Sequence, residues 1–157
     1  MVSVCGTKNV GKTNLITGLI PELLKRGQKV AVIKHDGHDF QPDVPGTDSY
    51  NARMAGAYGT AVYSANRFLV TCETPGLGPE DLKVHFPVGL IILEGGKNTS
   101  YPKIEVLRQG VSDGLVSSPP HLAVCTDGPW ELTGVPKVGL NEFDRLAELI
   151  VLGLSLK

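Results

Sequence analysis

V-S-V-C-G-T-K-N-V-G-K-T, residues Val2 to Thr13, passes from a short apolar run into a glycine-bounded turn that ends in lysine and threonine. The apolar tetrapeptide Val2 to Cys5 reads as a buried strand. From Lys12 the spacing of Leu15, Ile16, Leu19, Leu23 and Leu24 puts one apolar stripe along a helix reaching Arg26. Between strand and helix, Gly6-Thr7-Lys8-Asn9-Val10-Gly11-Lys12-Thr13 fits the P-loop pattern G-x-x-x-x-G-K-S/T at every fixed position. The chemistry needs those residues there. Glycines let the backbone curl so that successive N–H groups face one anion, and the helix start adds the positive end of its dipole. The Lys12 ammonium is expected on the β- and γ-phosphates, and the Thr13 hydroxyl on Mg²⁺. Asn14, the next residue, belongs to the same cradle.

The rest of the chain alternates strands and helices. Pro21 is expected to kink or divide the first helix, and Gly27 to end it. Lys29 to Lys34 reads as a second strand and Thr47 to Ala57 as a second helix, with Thr47 or Asp48 as N-cap. Thr60 to Ser64 and Arg67 to Glu73 flank Ala65-Asn66 as a hairpin. A short helix falls near Glu80 to His85. Val88 to Leu93, Pro102 to Arg108 and His121 to Thr126 read as further strands, and Asn141 as the cap of a last helix. The pattern predicts a P-loop NTPase-type three-layer α/β/α domain, one domain over residues 1–157, with a mostly parallel sheet and an antiparallel edge hairpin.

Composition narrows the class. Fifteen Lys and Arg against sixteen Asp and Glu leave a net charge of −1, so no basic field points to nucleic acid or an anionic membrane. The apolar segment Leu146 to Leu156 is too short to span a bilayer and carries Glu148. Cys5, Cys72 and Cys125 stand far apart in apolar runs, as buried, reduced thiols of a cytoplasmic protein would.

Leu90-Ile91-Ile92-Leu93-Glu94 supplies a carboxylate at the end of a buried strand, where ligands of open α/β sheets bind, and Glu94 is the expected acidic partner of the metal. Asp43-Val44-Pro45-Gly46 imitates the D-x-x-G of GTPase switches but follows polar residues, so it reads as a turn. No N-K-x-D guanine signature is present. V-I-K-H-D-G-H-D-F, Val32 to Phe40, holds two histidines and two aspartates within five positions. A zinc site, a solvated turn and a nucleotide-facing or partner-facing loop all fit its composition. In the last reading Lys34, His35 and His38 complement phosphate charge, while Asp36, Asp39 or Asp48 holds metal-bound water.

The succession G-T-K-N-V-G-K-T, V-I-K-H-D-G-H-D-F, P-G-T-D-S-Y, A-G-A, T-C-E-T-P, L-I-I-L-E-G-G-K and K-I-E-V-L-R resembles the molybdopterin-guanine dinucleotide biosynthesis protein B (MobB) family over nearly the whole chain. The resemblance implies a GTP-binding accessory protein with weak Mg²⁺-dependent hydrolysis. It would assist the guanylyltransferase partner that attaches GMP to molybdopterin, with molybdopterin itself as a further ligand, and act as a homodimer. It assigns Gly11, Lys12 and Thr13 to phosphate and Mg²⁺, Glu94 to the metal, and Lys34, His35, His38 and Asp48 to the surrounding loops. Lys12, Asp36 and Glu94 are the expected catalytic set. By the same resemblance, Ala123 to Asp127 matches a terminal strand, ending at Thr126, followed by an aspartate, Asp127, that would accept from N1–H and N2–H of guanine. Two departures stand out: Gly96 replaces the usual aromatic after E-G, and the segment between Glu73 and Val88 is short. The alternatives are a GTP-dependent metallochaperone, a small-molecule P-loop kinase and a scaffold that binds nucleotide only for stability.

Overall fold

A computed structural model describes residues 1–38 and 40–156. It divides into two compact units, Met1–His35 with Pro79–Lys157, and Asp36–Gly78 between them in sequence.

The first unit is built on a six-stranded sheet. Its strands are β1 (Val2–Cys5), β2 (Val30–Lys34), β5 (Leu90–Glu94), β6 (Lys103–Leu107), β7 (His121–Thr126) and β8 (Lys137–Val138), in spatial order β2-β5-β1-β6-β7-β8. Every pairing in it is parallel. Parallel strands buried on both faces need near-continuous apolar sequence, which the fully buried Leu90 to Leu93 illustrates.

Helices α1 (Lys12–Lys25) and α4 (Phe143–Gly153) cover one face. Leu15, Ile16, Leu19 and Leu23 of α1 and Leu146, Ala147 and Ile150 of α4 pack on Val2, Val4, Ile92, Ile104, Val106 and Cys125. The Phe143 ring lies directly on Gly18, where a Cβ would stand 2.4 Å from its Cζ, so only glycine lets the two helices approach this closely. The opposite face buries Ala31, Ile33, Ile91 and Leu93 under Leu82, Val88 and Tyr101. That third layer is thin, comprising the short helix α3 (Pro79–Lys83) and irregular segments.

Several expectations need correction. Pro21 does not divide α1, which runs unbroken from Lys12 to Lys25. Pro21 is exposed, so the carbonyl it leaves without a helical donor faces water. Gly27 does end the helix: at φ 76° its N–H donates to Leu24 O, and Gln28 N–H to Leu23 O, a Schellman closure. Asn141 is not the cap of α4, which starts at Phe143 after Glu142. β8 was not foreseen, because two residues carry no periodicity.

The second unit contains helix α2 (Asp48–Met54) and strands β3 (Gly59–Tyr63) and β4 (Phe68–Cys72). Thr47 caps α2, its hydroxyl accepting from Tyr50 N–H at 3.4 Å. Pro45-Gly46 forms a turn with Gly46 at φ 89° and Thr47 N–H on Val44 O, the pattern of a type II turn. The predicted hairpin is present but is not an edge of the large sheet. β3 and β4 pair only with each other, as a separate two-stranded sheet. Val62, Tyr63, Phe68 and Val70 are exposed on it. Cys72 is exposed for the same reason, against expectation, while Cys5 and Cys125 are buried. Among the described residues no helix is long and apolar enough to cross a membrane.

Candidate functional site

β1 delivers the chain into the glycine turn at the carboxyl edge of the sheet, flanked by β5 and β6. Gly6 has φ 142°, and a Cβ there would fall 2.5 Å from the Val106 carbonyl oxygen and 2.9 Å from Val10 Cγ2. Asn9 (φ 66°) and Gly11 (φ 99°) are also left-handed, and Gly11 is the N-cap of α1 without a side-chain cap. The first N–H groups of the helix therefore remain available to an anion. Lys8 and Asn9 are exposed at the tip and Val10 is buried beneath it.

Lys12 is half-buried rather than free in solvent. Its ammonium folds back over the loop, donating to Gly6 O at 3.1 Å and Thr7 O at 2.7 Å. The Thr7 hydroxyl oxygen is buried without a hydrogen-bond partner, a polar atom the cradle itself leaves unmet. The Thr13 hydroxyl donates to Glu94 Oε1 at 3.0 Å, joining the start of α1 to the end of β5. A hydroxyl and a carboxylate on adjacent elements form a hard oxygen donor set of the kind Mg²⁺ accepts. These features fit a polyphosphate with its cation.

Lys34 ends β2 in register with Glu94, and the His35 N–H donates to Glu94 O at 3.1 Å. Both side chains are exposed. Lys12, Thr13, Lys34, His35 and Glu94 thus belong to one edge of the first unit. Asp36, His38 and Asp48 belong to the second. There the Asp36 carboxylate accepts from His38 N–H at 3.2 Å, an Asx-type turn, and Asp48 is the exposed first residue of α2. Asp39 lies outside the described residues. Among the described residues no group of three or more His, Cys, Asp or Glu side chains is placed to hold a metal ion.

On the other flank of β1 a cleft of about 370 Å³ opens beside the cradle, lined by Gly11, Asn14, Arg108, Thr126, Asp127 and Asn141 among others. Thr126 is buried, its hydroxyl accepting from Gly128 N–H at 2.9 Å. Asp127 is exposed, with Oδ1 accepting from Gln109 N–H at 2.8 Å. Its other oxygen is not engaged in that bond. Arg108 and Asn141 escaped the sequence reading. Arg108 closes the K-I-E-V-L-R alternation, and Asn141 lines this cleft instead of capping α4. Gly96 has φ 71°, where a side chain is strained, and a Cβ would press on Leu93 Cδ2 at 2.5 Å.

Beneath the cradle, β6 buries two charged residues completely, Lys103 and Glu105. Lys103 Nζ donates to Thr99 O at 2.5 Å and Tyr101 O at 3.0 Å. Glu105 accepts from Val116 N–H at 2.9 Å and from the Ser117 hydroxyl, which also meets His121 Nε2 at 3.0 Å. Burial, reinforced by the Glu105 charge, pushes the Cys5 thiol up to about 11. Burial likewise pushes Cys125 up to about 12.

Known proteins share this fold. A family described as "Molybdopterin guanine dinucleotide synthesis protein B" matches residues 1–127. The molybdopterin-guanine dinucleotide biosynthesis adapter protein of Escherichia coli is 35% identical over 96% of this chain and 91% of its own length. That of Haemophilus influenzae is 32% identical over 96% of this chain and 86% of its own. The crystal structure of Bacillus subtilis MobB superposes with a TM-score of 0.76 at 26% identity, covering 98% of this chain and 96% of that one. The chain belongs to the molybdopterin guanine dinucleotide synthesis protein B family.

Proposed function

We propose that this protein is a GTP-binding adapter of molybdopterin-guanine dinucleotide biosynthesis, working in the cytoplasm with the guanylyltransferase that joins GMP to molybdopterin. The adapter role is supported by what the relatives are called. The nucleotide reading is carried by one observation: a P-loop whose lysine and threonine converge with a strand-end carboxylate, Thr13 to Glu94 at 3.0 Å. Backbone N–H groups of the turn bind the phosphates, and Lys12 exchanges its loop carbonyls for phosphate oxygens. Mg²⁺, when bound by Thr13 and Glu94, would neutralise phosphate charge. Glu94 keeps the Thr13 hydroxyl oriented, and Asp127 accepts from the guanine edge. Hydrolysis is weak and Mg²⁺-dependent. The protein acts as a homodimer, for which the apolar, two-sided hairpin of the second unit supplies the surface.

Calorimetric titration with GTP and ATP, with and without Mg²⁺, tests the nucleotide reading. Lys12→Ala should weaken GTP by about 100-fold or more, since it removes charge-assisted contacts to two phosphates. GTP affinity unchanged in that variant would remove the P-loop from the mechanism. Light scattering tests the dimer, and a monomer at tens of micromolar would exclude it.

A further inference from the structure

We infer that Arg108 is a nucleotide-binding residue that holds the α-phosphate between the cradle and the base cleft. The inference rests on the nucleotide reading above and deepens it, because that reading assigns the two ends of the ligand and leaves its middle unattended.

Sheet order carries the argument. Glu94 ends β5, the glycine turn follows β1, Arg108 follows β6 and Asp127 follows β7, and these four strands are consecutive neighbours in the order β5-β1-β6-β7. Parallel neighbours stand about 4.8 Å apart. A ligand with its terminal phosphate and cation by Glu94 and its base by Asp127 crosses the end of β6 on the way. The residue standing there is Arg108. Its Nη1 lies 3.7 Å from the position a Gly11 Cβ would take, over the last residue of the turn. Its side chain lines the same cleft as Asn14 and Asp127.

The residue is also prepared for the task. Its backbone is fixed by a turn: Arg108 N–H donates to the Ser112 hydroxyl at 3.0 Å, and Arg108 O accepts from Val111 N–H at 3.0 Å and Ser112 N–H at 2.9 Å. Ser112 is buried. By contrast, the guanidinium is exposed, and among the described residues it forms no ion pair within 4.0 Å. A planar guanidinium held at the mouth of an anion cradle, without a carboxylate of its own, suits bidentate recognition of a phosphate. Lys12 serves the distal phosphates, so the two cations divide the polyphosphate between them.

The test titrates GTP, GDP and ATP calorimetrically into the full-length wild type, Arg108→Ala and Arg108→Lys, with the thermal midpoint of each ligand-free protein measured alongside. Arg108→Ala should weaken all three nucleotides by a common factor of about 10- to 100-fold. The GTP:ATP ratio should stay as in wild type, and so should the ligand-free midpoint. Arg108→Lys should recover part of the loss, because it restores charge without the planar fork. Affinities within twofold of wild type in Arg108→Ala would overturn the inference. A loss confined to GTP and ATP, with GDP spared, would overturn it too, placing the guanidinium on the γ-phosphate, and a changed GTP:ATP ratio would assign it to the base. Failure of the wild type to bind any of the three would overturn the nucleotide reading itself, a different result from failure at Arg108 alone.

Discussion

Gly6→Ala isolates what the turn demands of its first residue. At φ 142° an alanine is strained, which costs about 1–3 kcal/mol. The new methyl would also stand 2.5 Å from the Val106 carbonyl oxygen, part of the β6 backbone, and 2.9 Å from Val10 Cγ2. Backbone in a central strand cannot step aside as a flexible side chain does, so overpacking adds about 1–3 kcal/mol. The sum of about 2–6 kcal/mol lowers the thermal midpoint by about 4–24 °C for a chain of this size. Gly27→Ala is the control. Its φ of 76° carries strain, but nothing lies within 4 Å of its Cβ position, so the loss should be about 1 kcal/mol. Trp130 is the single tryptophan and belongs to the first unit, so its fluorescence on heating reports the unfolding that matters. A Gly6→Ala midpoint within about 2 °C of Gly27→Ala would refute the claim that the Val106 carbonyl closes this position.

Four other expectations can be checked directly. Asp127→Ala should reduce the GTP:ATP affinity ratio by on the order of 10²-fold, because adenine offers no donor pair to that carboxylate; an unchanged ratio would move base recognition elsewhere. The double change His35→Ala, His38→Ala should leave GTP affinity within about tenfold, the cradle amides and Lys12 carrying most phosphate contacts, while reducing hydrolysis or partner stimulation much more. Stoichiometric zinc in wild type that vanishes in the double variant, with stimulation intact, would instead favour the metal reading of that loop. Iodoacetamide at pH 8 should label Cys72 in the native protein and reach Cys5 and Cys125 only on unfolding. Because burial raises both thiols to about 11 and about 12 from an ordinary 9.0, their stabilising preference for the folded state is complete below pH 9. Stability should fall as pH rises from about 9 to about 12, and substituting both by Ser should flatten that slope.

Much of the first unit is legible because its signals are local. An apolar tetrapeptide, a glycine turn and a helical stripe each declare themselves within a few residues, and Glu94 is marked by the four buried residues before it. The hairpin shows where local reading stops. Its strands are apolar on alternate and successive positions alike, which suggests membership of a buried sheet, yet β3 and β4 pair only with each other. Strand pairing partners are decided by tertiary packing, and a single strand does not encode them. The same limit applies to Arg108 and Asn141. Each is an ordinary polar residue at an element boundary, and only strand order brings them beside Asp127. Lys103 and Glu105 are harder still, since charged residues in an alternating strand are expected on a solvated face. Here both are buried, and backbone groups and a serine hydroxyl meet their charges.

That buried carboxylate has a consequence for chain entropy. The connection from the end of β6 to the start of β7 contains no helix or strand of its own, and a free loop of this length would wander. Glu105 gathers Val116 N–H and the Ser117 hydroxyl onto the strand the connection has just left, and Ser112 ties the first turn of the same stretch to Arg108. One long closure thereby becomes two short ones, each restricting the other. Closure entropy depends only weakly on length, so the gain is less in stability than in definition of a single path. An apolar contact would tolerate sliding by a residue, whereas a carboxylate with two assigned donors does not. The irregular segment keeps one shape because its anchor is directional.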